Sequence, residues 1–216
     1  MSERETTRRT REGYDAFAEE YYELFKDSLR EHPLDRAVMG VFAEMVRDGG
    51  NLEIADLGCG PGHVTAYLRE LGLAPFGIDL APEMVALAGR THPEIEYRQG
   101  DMTALDLPDG GLGGVYSRSS IIHTPPERIG EVFAEFSRVL APGGHLLLGF
   151  QAHEDTSQLA WPFDHKVAPA YRWSVGRVAD LLRQNGLEEI SRSIEAPWKD
   201  PVRGFHYACI LALKPR

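Results

Sequence analysis

What most constrains this chain is a change of hydrophobic period at Gly49-Gly50. Beyond it, short apolar runs alternate with amphipathic helical segments, the pattern of repeated βα units. Strands are expected at residues 52–57, 74–78, 95–98, 114–117 and 145–150. Helices are expected near 63–71, 82–90 and 126–140, the second opening on Pro82, a residue suited to a first helical turn. Such an alternation predicts a doubly wound, mostly parallel sheet of α/β class with helices on both faces.

The flanks read differently. Residues 12–48 are helical in pattern, with Tyr14, Phe17, Tyr21, Leu24 and Phe25 at three- and four-residue spacing, then Val38, Val41, Phe42 and Met45 after a break at His32-Pro33. Near the other end, a helix around 174–185 is stopped by Gly186. Two extended runs, 187–194 and 205–213, then flank a proline-rich stretch and predict an antiparallel pair at one sheet edge. A length of 216 residues suits a single domain over 1–216, divided into a helical segment 1–48, a core 51–150 and an edge segment 151–216.

Charge narrows the partners. Lys and Arg total 23 against 33 Asp and Glu, a formal net charge of −10 that opposes a nucleic-acid backbone. The basic cluster Arg4, Arg8, Arg9 and Arg11 alternates with Glu3, Glu5 and Glu12, which reads as a solvated helical or frayed terminus. Cys59 and Cys209 have neither zinc nor disulfide spacing, no apolar run reaches a membrane-spanning length, and the charged start lacks a signal-peptide core. The expectation is a cytoplasmic protein, monomer or homodimer, without membrane or nucleic-acid partner.

The sharpest motif is Asp56-Leu57-Gly58-Cys59-Gly60-Pro61-Gly62, between an apolar strand and a helix. Small residues there let a ligand approach the backbone at the switch point of a doubly wound sheet. A carboxylate at Asp56 would oppose a pyrophosphate and welcome an ammonium. His63 stands where the dinucleotide fingerprint wants its third glycine, so both features favour S-adenosylmethionine over NAD or FAD. Asp79 ends the second strand, where a carboxylate accepts from ribose hydroxyls, and Asp101 ends the third, where it accepts from an adenine amino group. Each acid alone reads as a cap or turn residue. Three at three successive strand ends favour a nucleoside site.

These residues resemble the class I S-adenosylmethionine-dependent methyltransferases. The resemblance rests on the loop 56–62, on Gly77-Ile78-Asp79-Leu80-Ala81-Pro82-Glu83-Met84, on Gln99-Gly100-Asp101-Met102, and on Leu140-Ala141-Pro142-Gly143-Gly144-His145-Leu146. The entry Tyr14-Asp15-Ala16-Phe17-Ala18, followed by Tyr21 and Tyr22, is similar to a segment that folds over the cofactor in small-molecule members. It implies a seven-stranded Rossmann-like sheet with a reversed edge hairpin, a helical lid, and cofactor contacts from Tyr14, Tyr22, Asp56, Gly58, Cys59, Gly60, Gly62, Asp79, Leu80, Met84, Asp101, Met102 and Ser117. One departure stands out: members often carry an acid in the fourth strand, where this chain reads Leu112-Gly113-Gly114-Val115-Tyr116.

Methyl transfer from a sulfonium needs alignment and exclusion of water, and a base only when the acceptor arrives protonated. His123, after the fourth strand, is the candidate base, against the plainer reading that it shapes its loop. Acceptor contacts are expected from Arg118, His165, Tyr171, Arg172 and His206, because residues 164–173 are too aromatic and charged for an ordinary connection. Free guanidiniums at Arg118 and Arg172 would suit an anionic small-molecule acceptor; guanidiniums paired with surplus acids would not. The spacing of His153, Glu154, Asp155, Asp164 and His165 matches no metal motif, and Cys59 reads as packing beneath the loop. Two other functions compete, a nicotinamide-dependent oxidoreductase and a non-catalytic cofactor-binding module. If Arg118, His123, Tyr171 and Arg172 do not converge near the sulfonium, turnover becomes doubtful and the second gains ground.

Overall fold

The computed structural model describes residues 3–197 and 204–216. Four helices come first: α1 (Glu3–Asp15), α2 (Ala18–Phe25), α3 (Ser28–Glu31) and α4 (Pro33–Gly49). The alternating region follows as β1 (Glu53–Leu57), α5 (His63–Glu70), β2 (Ala74–Asp79), α6 (Pro82–Thr91), β3 (Tyr97–Gln99) and β4 (Leu112–Arg118), then α7 (Ile129–Val139) and β5 (Leu140–His153). The chain closes with β6 (Ala160–Phe163), β7 (Ala170–Ser174), α8 (Val175–Gln184), β8 (Glu188–Glu195) and β9 (His206–Leu213).

The first five strands lie parallel in the order β3-β2-β1-β4-β5, so strand order reverses between β1 and β4. A crevice must open there, because the connections leaving the two strands diverge to opposite sides. Beyond β5, β9 and then β8 add antiparallel strands, the reversed edge pair expected from 187–194 and 205–213. Part of the proline-rich stretch between them, 198–203, lies outside the described residues.

The sheet has nine strands among the described residues, where seven were expected. The two additional strands, β6 and β7, form an antiparallel pair, β6 just before the stretch 164–173 read as acceptor pocket and β7 at its end. They exist because β5 outruns β4: β4 pairs as far as Gly149, while Ala152 and His153 meet Trp173 and Ser174 of β7 along the edge that β4 leaves free. The β6–β7 pair thus rises above the carboxyl edge of the sheet, beside the crevice.

Period-two alternation builds the two cores. Leu146, Leu148 and Phe150 of β5 join Phe133, Phe136, Trp173 and Val178 on the α7–α8 face, while Leu147 joins Met39, Phe42, Ile54 and Leu68 on the α4–α5 face. The departure at β4 is a packing matter: a Cβ at Gly113 would stand 1.8 Å from the Asn51 carbonyl oxygen, so the position has no room for the acid other members carry. On α1, Arg8 bridges Glu5 and Glu12, and Arg9 reaches Glu5. Arg8 and Arg9 thus lie on a solvated helix face.

Candidate active site

A cleft of about 950 Å³, including its open mouth, lies over the carboxyl ends of β1, β2 and β4. Its floor is the glycine loop. Gly58 (φ +77°) and Gly60 (φ +53°) adopt left-handed backbone, a conformation costly for any residue with a Cβ. The N–H groups of Gly58 and Cys59 donate to the Ile78 carbonyl, tying the loop to β2. A Cβ on Gly60 would find nothing nearer than Tyr21, at 4.0 Å, so the loop leaves open space toward the cleft.

Asp79 stands at the lip. Its Oδ2 accepts the Gly60 N–H at 2.8 Å and its Oδ1 the Ala81 N–H at 2.9 Å, which fixes the carboxylate plane across the loop and the start of α6. Burial raises its pKa, opposed by those backbone donors. Asp101 also lines the cleft and accepts the N–H and the hydroxyl of Thr103 on Oδ1. Among the described residues neither acid has a cationic partner, while Arg118 is paired with Asp35 and Arg128 with Glu131. The floor is therefore anionic and apolar, with Ile78, Leu80, Met84 and Met102 completing it. A pyrophosphate would be repelled by it, whereas the ribose diol, adenine and cationic sulfonium of S-adenosylmethionine fit.

Several expected contacts sit elsewhere. Asp56 is buried behind the loop, accepting the Thr65 hydroxyl at 2.6 Å, and burial pushes its pKa up to about 7. The charge argument made for it passes to Asp79. Cys59 and Gly62 turn to the rear, against Gly77 and Tyr97, and burial raises the Cys59 thiol pKa well above the usual range. Ser117 is fully buried, its hydroxyl 2.5 Å from Ser120 Oγ and 3.1 Å from the Leu57 carbonyl, and Ser119 and Ser120 face the cleft instead. Tyr22 packs toward the Ala81–Met84–Leu87 cluster, and Tyr21 takes the cleft position.

The roof is α1, which brings Thr6, Thr7, Thr10 and Tyr14 over the opening. Helical periodicity begins only at residue 12, near the end of α1, and the threonines before it carry no signal that they face a ligand. At the acceptor end, His123 is buried with both ring nitrogens engaged. Nδ1 lies 2.9 Å from the Pro169 carbonyl, which can only accept, so Nδ1 carries the proton and Nε2 offers its lone pair to the Tyr14 hydroxyl at 2.9 Å. Burial lowers the His123 pKa below the ordinary imidazole value, which keeps the ring neutral at neutral pH.

Of the four groups whose convergence was expected, Arg118 and His123 line the cleft, and Tyr171 and Arg172 are not among its lining residues. Arg172 lies over the Phe205 and Trp161 rings at 4.2 and 5.2 Å. His206 on β9 is directed to the Glu195 carbonyl and to Glu154, and His165 packs edge-on against His123 at 5.0 Å. Arg118 is held by Asp35 of α4, a partner that no local sequence pattern could supply. No group of three or more His, Cys, Asp or Glu able to hold a metal occurs among the described residues, and no helix of the described residues is long and apolar enough to cross a membrane.

Comparison with known proteins finds methyltransferases. Residues 54–144 match the family described as "Methyltransferase domain". A malonyl-[acyl-carrier protein] O-methyltransferase of Pectobacterium atrosepticum is 31% identical over 135 residues, covering 56% of this chain and 52% of the relative. The chain spans about half the length of the curated relatives it matches first. Among solved structures, a SAM-dependent methyltransferase of Methanosarcina mazei superposes with a TM-score of 0.66 at 18% identity, over 76% of this chain and 92% of that one. The 1,6-didemethyltoxoflavin-N1-methyltransferase of Burkholderia thailandensis, solved with its substrate and S-adenosylhomocysteine, gives 0.64 at 21% identity over 92% and 91%. Residues 54–144 are thus similar to a methyltransferase domain, and the chain shares its fold with solved S-adenosylmethionine-dependent methyltransferases.

Proposed function

We propose that this protein transfers the methyl group of S-adenosylmethionine to a small-molecule acceptor through an oxygen, nitrogen, sulfur or carbon nucleophile, releasing S-adenosylhomocysteine. The observation that carries the reading is Asp79, bridged to Gly60 and Ala81 over an open glycine loop, with no cationic partner among the described residues. When bound, the cofactor supplies an electrophilic methyl whose departure leaves a neutral sulfide. The protein's part is then to hold the ribose at Asp79, enclose the reacting end beneath Tyr14 and Tyr21, and accept a proton at His123 Nε2 when the acceptor brings one. The Tyr14 hydroxyl occupies Nε2 and is the group through which that proton passes.

The relatives are named for chemically unlike acceptors, a malonyl group on an acyl-carrier protein and 1,6-didemethyltoxoflavin. Arg118 is neutralised by Asp35, so anion recognition in this cleft has little free positive charge to draw on, and the small acceptor favoured here is a neutral one. Titration calorimetry of S-adenosylmethionine and S-adenosylhomocysteine tests the cofactor site: Asp79→Ala is expected to weaken both about 100-fold, the loss of hydrogen bonds to a charged group. Unchanged affinity in that variant, or binding of NADH in place of either, overturns the assignment. Labelled S-adenosylmethionine incubated with a panel of phenols, thiols, amines and carboxylates, read by mass spectrometry, then finds the acceptor class.

A further inference from the structure

The turn between β6 and β7, residues 164–169, touches both the lid and the candidate base. Gly13 of α1 lies so close to it that a Cβ there would stand 2.7 Å from both the Val167 carbonyl oxygen and Val167 Cγ1. One position along, Tyr14 reaches His123. In the turn between α1 and α2, four residues beyond Gly13, the Phe17 ring centre lies 3.9 Å from the Lys166 ammonium. The same turn supplies the Pro169 carbonyl that holds His123 Nδ1, and the His165 ring that packs on the imidazole. His165 is itself set by accepting the Val167 N–H on Nδ1, at 3.3 Å. A helix interior disfavours glycine, so the close approach to Val167 accounts for Gly13 better than local propensity does.

We infer that residues 164–169 form a clasp that docks the lid and orients His123 in one movement, with Gly13 as the notch that lets α1 seat and the Pro169 carbonyl as the positioning group. This deepens the methyltransfer reading and rests on it. The base is presented at Nε2 only while α1 is seated on the turn, and an undocked lid leaves His123 without its Tyr14 partner. His165, expected to touch the acceptor, acts here through His123 as a positioning residue. Opposite the clasp, Asp15 Oδ1 accepts the Glu83 N–H at the start of α6 at 3.0 Å, so the end of α1 spans the cleft between cofactor side and acceptor side.

The clasp is testable without an acceptor. Protein labelled with ¹⁵N-histidine is studied with S-adenosylhomocysteine bound, and its two-bond proton–nitrogen spectrum reports the His123 tautomer. Wild type is expected to show a single Nδ1–H form with a hydrogen-bonded Nε2. Gly13→Val should seat poorly, give averaged tautomers at His123, speed amide exchange in α1, and raise the dissociation rate of S-adenosylhomocysteine about tenfold. Phe17→Ala, which releases Lys166 without adding bulk, should move all three readouts in the same direction by less. Circular dichroism and the unfolding midpoint of each variant separate undocking from misfolding.

A wild-type His123 protonated at Nε2, or a tautomer indifferent to Gly13→Val while α1 exchange rises, overturns the clasp. Should wild type take up no S-adenosylhomocysteine, the cofactor reading falls. The clasp is then judged separately by α1 exchange and the His123 tautomer in the unliganded variants.

Discussion

The floor and the roof of the cleft are built differently. The floor is made by backbone on strands in fixed register: the Ile78 carbonyl accepts from Gly58 and Cys59, Asp79 accepts from Gly60, and both faces of the sheet below are buried. The roof is held by single side-chain contacts, Tyr14 to His123, Asp15 to α6 and Glu19 to Arg90, over a small apolar cluster of Ala18, Ala81, Met84 and Leu87. Apolar burial stabilises by roughly 25 cal/mol per Å², so an element that buries little opens at low cost. The comparison teaches that the floor is fixed by the fold itself, whereas the roof rests on contacts that single substitutions can release.

The largest expected effect probes the floor from behind. Asp56 keeps its proton up to about pH 7 in the folded chain, against an ordinary value of 3.8, so the unfolded chain ionises first. The contribution of Asp56 to stability is therefore full below about pH 4 and is lost as the pH rises to about 7, by up to roughly 4 kcal/mol. Asp56→Asn keeps an oxygen for the Thr65 hydroxyl and has no charge to bury. Denaturant titrations should show it matching wild type near pH 4 and exceeding it near pH 8. Parallel pH profiles for the two proteins would remove Asp56 as the titrating group.

Next in size is Gly58→Ala. The new methyl would meet Ser120 Cβ at 2.2 Å on a residue with φ of +77°. Overpacking and left-handed strain together should cost about 3 kcal/mol of unfolding free energy. A loss below about 0.5 kcal/mol would mean that the floor yields as readily as the roof, and the contrast between them would collapse.

Floor and roof also differ in how far the sequence disclosed them. The βα alternation and the turn signals placed the parallel strands, the reversed edge pair and the loop 56–62, because period and glycine spacing are local properties. Asp79, Gly58, Gly60 and Asp101 were legible for the same reason: strand ends in this topology point into the crevice. Asp56 was misplaced because a strand's last residues alternate between cleft and core, and sequence does not say which side a carboxylate takes when Thr65 can receive it. Tyr22 was chosen over Tyr21 for the matching reason on a helix, where adjacent residues lie about 100° apart. The strand pair β6–β7 and the Arg118–Asp35 pair depend on contacts between segments far apart in the chain, which no local pattern carries.

That ion pair ties the end of β4, at the floor, to Asp35 of α4, a helix packed against the sheet and not part of the roof. Asp35→Ala leaves a guanidinium with 24% of its side chain exposed and no counter-charge. Partial exposure lets water take over some of the lost interaction, so the expected destabilisation is about 2 kcal/mol, below the range for a fully buried pair. Urea unfolding measures it, and Asp35→Ala combined with Arg118→Met should recover most of the loss. Failure of the double variant to recover would mean that Asp35 acts on α4 alone.

The smallest effect sharpens the roof. Tyr21 faces Gly60 and meets Tyr14 edge to face at 5.9 Å, whereas Tyr22 lies on the α6 side with Lys26 over its ring. Truncating Tyr21 to Ala removes cover from the cleft and should weaken S-adenosylhomocysteine about tenfold, near 1.4 kcal/mol. Tyr22→Ala loosens only the packing of α2 and should stay within about twofold. Calorimetry on the two variants decides between neighbouring tyrosines, and an effect concentrated at Tyr22 would mean that α2 sits about 100° away from the orientation described, with the roof turned accordingly.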